Sequence, residues 1–464
     1  MNSIEHELRH HLSSLDHEPV TDPVAVVSRA VRRERTRQMR RRAGLVTVST
    51  GLVLAMLVAI WASRSRPGAA PDVGARTTAS GPAPTTAAAS IAAPTTAAAS
   101  TTTAPTDALW SPMPPDPRGP TYRSLVVWTG REAIVAGGID AATTVPRQDV
   151  SAYDPASSTW RNLASWPDLA DRVHPLVAWT GAAMLVIGGD NPDGSLLVSS
   201  GSAYDATTDA WRTIATPPIG FVSDRSPFVW TGTELLVWPA DGGSPSMVVT
   251  PIAYDPTVDR WRELPPPPIE RRQHAASVWT GTEWIVWGGR SGASLTGTLH
   301  ELADGAAYDP AIDRWRVIAP SPLEARRVPG VWTGREMLVT AGASGGDPVT
   351  FDGMFAWGDG AAYDPATDRW RSLHDGPAHP GFDPVWTGTA SLLFAKNGAW
   401  VYEPRTDRWT DGGPDPYDIG ADGGAVWTGT TALLFGVSNE AFTGDVGPGP
   451  RPGGATFSPP PATG

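Results

Sequence analysis

The chain has 464 residues, 18% of them charged, a formal charge of -12 and no cysteine. The missing cysteine excludes a disulfide framework, a thiolate nucleophile and a Cys-containing zinc site. The charge is split, with residues 1–66 carrying +5 and the remainder -17, and an acidic body argues against nucleic acid as a partner. The length exceeds what one simple core needs, so several domains or one large repeat array are expected.

Residues 1–42 read as a cytoplasmic N-terminal segment with two short helices. Ile4, Leu8, Leu12 and Leu15 share one helical face, and Asp22-Pro23 has the pattern of an N-cap with Pro at the first helical position, ahead of Val24, Val27 and Val31. Residues 43–63 follow without a single charge. At about 1.5 Å per residue this run is long enough for a transmembrane helix, and a cleaved signal peptide would have a shorter apolar region and a shorter leader. Arg32, Arg33, Arg35, Arg37, Arg40, Arg41 and Arg42 precede the span, against Arg64 and Arg66 after it. The positive-inside rule therefore puts the N-terminus in the cytoplasm and the rest outside, on a retained signal anchor. Residues 64–108 are a Pro/Ala/Thr-rich linker with too few large apolar groups to offset the entropy of folding, and are expected to be disordered. As a flexible coil the linker would span about 35 Å, and as polyproline helix about 130 Å.

Residues 109–460 are repetitive. Trp-Thr-Gly occurs seven times, beginning at Trp128, Trp179, Trp230, Trp279, Trp332, Trp386 and Trp427. Six units carry a second signature, a Tyr with a Trp seven positions on: Tyr153/Trp160, Tyr204/Trp211, Tyr254/Trp261, Tyr308/Trp315, Tyr363/Trp370 and Tyr402/Trp409. Short apolar runs bounded by Gly, Pro and Asp are strand and turn signals. In the second unit they predict strands at 176–179, 184–187, 202–204 and 211–214. In the sixth, Lys396-Asn397-Gly398 predicts a tight hairpin turn through its Asn-Gly pair. Four antiparallel strands per repeat of about 50 residues make a propeller blade. The seventh unit ends at Phe457-Ser458-Pro459 without a following Trp, whereas Trp110-Ser111-Pro112 matches a fourth strand with nothing before it. The expected fold is an all-β, seven-bladed propeller in which the Trp110 strand completes the last blade.

These motifs resemble the kelch repeat, in which Gly-Gly ends the second strand, Tyr-Asp-Pro marks the third-to-fourth turn and Trp opens the fourth strand. Gly137-Gly138, Gly188-Gly189 and Gly288-Gly289 match, while Trp238-Pro239, Ala341-Gly342, Ala395-Lys396 and Gly436-Val437 depart from the pattern. The resemblance implies a fold similar to the central domain of galactose oxidase. It also brings in copper oxidases, and sugar-acid epimerases or hydrolases acting on sialic acid. The oxidase chemistry needs a Cys crosslinked to Tyr, which this chain lacks. No repeated Asp-box and no Glu/Tyr pair nominates itself for the sugar chemistry, so no catalytic residue, cofactor or metal is assigned.

In such a blade the Trp-Thr-Gly and Asp-Pro turns share one face, where Asp259, Asp313 and Asp368 are expected to cap backbone donors. The second-to-third connections and interblade segments share the other face and vary in length and sequence, as binding faces of repeat arrays do. Onto that face the interblade segments bring Arg118, Arg172, Arg225, Arg271, Arg272, Arg326 and Arg327, with His174, His274 and His379 nearby. A partial Arg ring holds a carboxylate or phosphate by paired hydrogen bonds. The competing reading has these Arg pair with Asp171, Asp224, Glu270 and Glu324 or stack on interblade Trp. The expected function is a membrane-anchored extracytoplasmic binding module for an envelope protein or cell-surface glycan, without catalysis of its own. The alternatives are a sugar-acid (sialic-acid-type) epimerase or hydrolase on the propeller scaffold and a signalling regulator whose residues 1–42 contact a cytoplasmic partner. The layout of the latter is similar to membrane regulators that sit beside alternative sigma factors, but the His and Cys of the zinc-binding anti-sigma motif are missing.

Overall fold

The computed structural model describes residues 109–460 except 144, 168–171, 192–199, 219–220, 241–248, 293–298, 346–353, 379–383, 396–397, 418, 420–423 and 437–452. The expected cytoplasmic segment, span and linker, and His379, lie outside the described residues. Among the described residues no helix is long and apolar enough to cross a membrane.

Seven four-stranded antiparallel sheets form the blades of a propeller. The inner strands are Leu125–Trp128, Leu176–Trp179, Phe228–Trp230, Ala276–Trp279, Val331–Trp332, Val385–Trp386 and Ala425–Trp427. Those of blades 1 and 7 touch, which closes the circle. Blade 2 continues outward through Ala183–Ile187, Gly201–Asp205 and Ala210–Ile214, within a residue of the sequence expectation. Second strands are buried on both faces, as in Ile134, Val135 and Leu185 to Ile187, because each blade packs against a neighbour on either side. This explains why they read as continuous apolar runs rather than alternating ones.

The Trp-Thr-Gly turns close on themselves. Thr180 Oγ1 donates to the Ala183 carbonyl and accepts the Ala183 N–H, and the same bonds recur at Thr231 and Glu234 and at Thr387 and Ala390. Gly181 has φ +93° and open space around its α-carbon, so glycine serves the left-handed backbone rather than close packing.

The second signature locks blade to blade. Trp211 Nε1 donates to the Ala164 carbonyl of the preceding blade at 2.8 Å, while Asp209 accepts both the Ala164 N–H (2.8 Å) and the Tyr204 hydroxyl (2.7 Å). Asp259 repeats this with Ala215 and Tyr254, and Asp368 with Ala319 and Tyr363. At Asp313 only the tyrosine bond, to Tyr308, recurs, because Pro265 occupies the donor position and has no N–H. Asp259→Ala should therefore cost about 1–3 kcal/mol by stranding a backbone donor and a phenol. Urea unfolding checks this, and a change within error would mean that the carboxylate is dispensable.

The sixth blade corrects one expectation. Ala395 pairs with Gly398, so Gly398 belongs to the third strand rather than to the connection. A β-carbon at Gly398 would collide with the Gly413 backbone, so glycine is needed there for close approach. The shared seventh blade holds as expected: Trp110, Ser111 and Pro112 pair with Phe457, Thr456 and Ala455. On the opposite face from the Trp-Thr-Gly turns, two-stranded hairpins rise from blade 4 (Arg290–Ser291 with His300–Glu301) and blade 5 (Ala343–Gly345 with Met354–Ala356).

Candidate functional site at the channel mouth

The arginines of the interblade segments divide into two sets with different work. Arg118, Arg172, Arg272 and Arg326 share one register and are buried. Each donates to the carbonyl that ends its own blade's second strand, Gly137 (3.2 Å), Gly188 (3.5 Å), Gly288 (3.0 Å) or Ala341 (3.2 Å). Each also reaches the carbonyl ahead of the third strand, Asp149, Ser200, Asp304 or Asp359. Asp116, Asp304 and Asp359 pair with Arg118, Arg272 and Arg326. Arg172, Arg272 and Arg326 stand over Trp166, Trp238 and Trp357 at 5.8, 5.9 and 4.5 Å. These guanidinium groups tie off the ends of two strands where the β-ladder stops. Four of the sequence candidates, Arg118, Arg172, Arg272 and Arg326, thus hold the scaffold.

The remaining candidates converge. His174, Arg225, His274 and Arg327 lie on the lead-in segments of blades 2, 3, 4 and 5, just before the innermost strands and hence at the channel mouth. His174 and His274 have left-handed backbone, at φ 59° and 52°, and Arg123 takes the same position in blade 1 at φ 56°. The cause is local. In these three blades the second Gly of the Gly-Gly pair (Gly138, Gly189, Gly289) presses against the lead-in segment, where a β-carbon would meet the carbonyl of residue 122, 173 or 273. Non-glycine residues rarely hold positive φ, and such positions concentrate where function demands them.

Side chains from blades 1, 2 and 3 then form one chain of contacts. Arg123 Nη1 lies 2.9 Å from His174 Nε2, and His174 Nδ1 lies 2.8 Å from Asp224 Oδ2. A guanidinium only donates, so Nε2 accepts and Nδ1–H is the donor to Asp224. Arg225 continues toward Asp190 at 3.5 Å. Burial raises the Asp190 carboxyl above its ordinary value, with Arg225 and His174 acting the other way. In blades 4 and 5, Glu301 stands between Arg290 (3.3 Å) and Arg327 (3.5 Å). Between the two groups sits His274, whose N–H donates to the Arg225 carbonyl and whose carbonyl accepts from Val328. Burial depresses its imidazole to about 4, reinforced by Arg225, Arg327 and Arg290 and opposed by Asp224. His274 is therefore a neutral group at pH 7. Arg271 is partly buried.

Sequence reasoning missed Arg123, Asp190, Arg290 and Glu301 as members of the cluster. Arg123 carried a signal: it stands two residues before its inner strand, as His174 and His274 do. Among the described residues no group of three or more His, Asp or Glu is placed to hold a metal ion.

No family model matches the chain. An F-box/kelch-repeat protein of Arabidopsis thaliana is 29% identical over 106 residues, 22% of this chain and 30% of that protein, so the likeness spans under a third of the relative's length. The solved structure of YjhT aligns with a TM-score of 0.47 at 15% identity, over 64% of this chain and 98% of that one. The scaffold is a seven-bladed β-propeller, and part of it is similar in sequence to a kelch-repeat protein.

Proposed function

We propose that the protein is a binding module, presented outside the cell on the anchor at residues 43–63, that recognises an envelope protein or surface glycan at the channel mouth. The observation that carries this reading is the convergence of Arg123, His174, Asp224, Arg225 and Asp190 from three blades. Scaffold bonds repeat from blade to blade, whereas among the described residues this chain of contacts occurs once. The same face carries the blade 4 and 5 hairpins, where Phe355 is 59% exposed beside Trp357. A polar centre next to an exposed aromatic suits recognition of a partly polar surface. The opposite face has its Asp, Tyr and Trp groups committed to interblade bonds.

Intact cells producing the full chain are expected to capture labelled envelope fractions. The double charge swap Asp224→Lys with Arg225→Glu should weaken capture at least about tenfold, the scale of one or two charge-assisted bonds. Arg161→Ala, which breaks an ion pair with Glu132 beside the Trp-Thr-Gly turn, is the control that should leave it unchanged. Equal capture by the charge-swapped protein would move the site elsewhere. Capture by detergent-solubilised protein but not by intact cells would overturn the outward orientation.

A further inference from the structure

We propose that a small pocket between blades 1 and 2 is an oxyanion site, taking the carboxylate or phosphate group of a ligand, with Arg123 and the Gly138 N–H as its donors. The inference deepens the channel-mouth reading and rests on it, since it names the chemical group that one sector of the mouth would take. Arg123, Leu125, Gly138, Ile139, Arg172 and His174 are among the lining residues.

Two independent features point to an acceptor from outside the chain. The first is the state of Arg123. Among the described residues its guanidinium has no carboxylate partner, and its one hydrogen bond goes to the acceptor nitrogen of His174. Nη1 is thereby held, while the Nε and Nη2 donors remain along the other edge of the planar group. That edge matches two oxygens of a carboxylate or phosphate. Asp224 holds His174 from the far side, so three blades orient one guanidinium. An ordinary surface arginine has no such support, and preorganisation of this kind removes much of the entropic cost of binding.

The second feature is a backbone donor. In blade 2 the Gly189 N–H donates to the Val222 carbonyl of the next blade at 2.8 Å, and in blade 4 the Gly289 N–H donates to Arg326 in the same way. Gly138 holds this position in blade 1, with the same left-handed backbone, yet among the described residues its N–H has no acceptor. Gly138 is partly buried, unlike the buried Gly189 and Gly289, so its N–H stays accessible to an acceptor from outside the chain. Gly138 lines the pocket that Arg123 lines, so one oxyanion can accept from both. Arg172, also in the wall, is committed to Gly188 and Ser200 and adds positive potential rather than a contact.

His174 and Asp224 are positioning residues in this scheme, and Arg123 is the contact residue. The test uses the full chain in detergent, titrated separately with inorganic phosphate, acetate and D-glucuronate and followed by calorimetry. Saturable binding of at least one anion is expected, and the preferred probe distinguishes a phosphate ligand from a carboxylate. Arg123→Gln should raise Kd about tenfold or more, as expected for loss of a charged hydrogen-bond pair. Asp224→Asn should raise it by a smaller factor while leaving the contact residue in place. Should Arg123→Gln fail to fold, Arg123→Lys, which keeps the charge and loses the fork, is read instead with the same expected direction. No saturable binding of any probe, or equal Kd in the Arg123 variants, overturns the site. Capture of envelope fractions by the Arg123 variants separates the two readings: retained capture with lost anion binding confines the oxyanion role to small ligands. Lost anion binding with no capture by any form, wild type included, removes the channel-mouth reading and leaves the pocket standing alone.

Discussion

Removing residues 108–116 is expected to abolish cooperative unfolding of the native ring and to leave a species that self-associates. The strand Trp110–Pro112 is the outer strand of blade 7, and without it the strand Gly454–Phe457 becomes an exposed edge. Unpaired edges are templates for intermolecular pairing. More than three ladder residues would go. Trp110 is 2% exposed, its ring centroid is 4.9 Å from that of Phe457 and 6.2 Å from that of Phe394, and its Nε1 donates to the Gly412 carbonyl at 3.2 Å. Pro114 supplies the carbonyl that accepts from Trp160 of blade 1 at 3.0 Å. The deletion thus loosens blade 7 on both of its sides. Trp110→Ala is the milder form and should cost about 3–5 kcal/mol, the usual range for emptying a buried indole site. Urea unfolding followed by tryptophan fluorescence, with size-exclusion chromatography of the deletion, reads both effects. A deletion variant that melts with the wild type as a monomer would show that the ring closes without this strand.

Acid should destabilise the propeller through His274 over a defined window. In the unfolded chain an imidazole titrates near 6.5, and in the folded protein His274 is depressed to about 4. Between those values the unfolded state binds the extra proton, so its contribution to stability is fully present above about 6.5. It is lost as pH falls toward about 4, by up to about 3 kcal/mol. Burial of the ring sets the direction, Arg225, Arg327 and Arg290 reinforce it, and Asp224 opposes it. His274→Asn keeps a residue tolerant of the left-handed backbone and removes the titration. The wild type should lose about 3 kcal/mol more than this variant between pH 7 and pH 4 in urea unfolding. Asp209, Asp259 and Asp368, whose carboxyls are held below their ordinary values, weaken both proteins alike. Equal losses in the two proteins would mean that His274 is protonated without cost.

Much of the scaffold was legible because each blade repeats a local solution. A Thr that closes its own turn, a Gly at positive φ, and a Tyr-to-Trp pair seven residues apart all act within a dozen residues, so spacing reveals them. The closing strand was legible by subtraction, from one incomplete unit at each end. The site was less so. Adjacent Arg326 and Arg327 look alike in the sequence, yet one is tied to Ala341 and Asp359 and the other faces Glu301. Which of two neighbouring side chains enters the channel depends on the backbone turn at the lead-in segment, and that turn follows from the packing of a glycine on the next strand.

Repeat count, strand order and ring closure are therefore properties of the sequence alone, since they follow from short-range turn chemistry and apolar patterning. The division of the arginines into scaffold ties and channel-mouth groups, and the contact of Arg123 with His174 and Asp224, were decided only by tertiary structure. Residues 123, 174 and 224 sit on successive blades, one repeat apart in sequence, and only the closed circle of blades brings them within hydrogen-bonding distance.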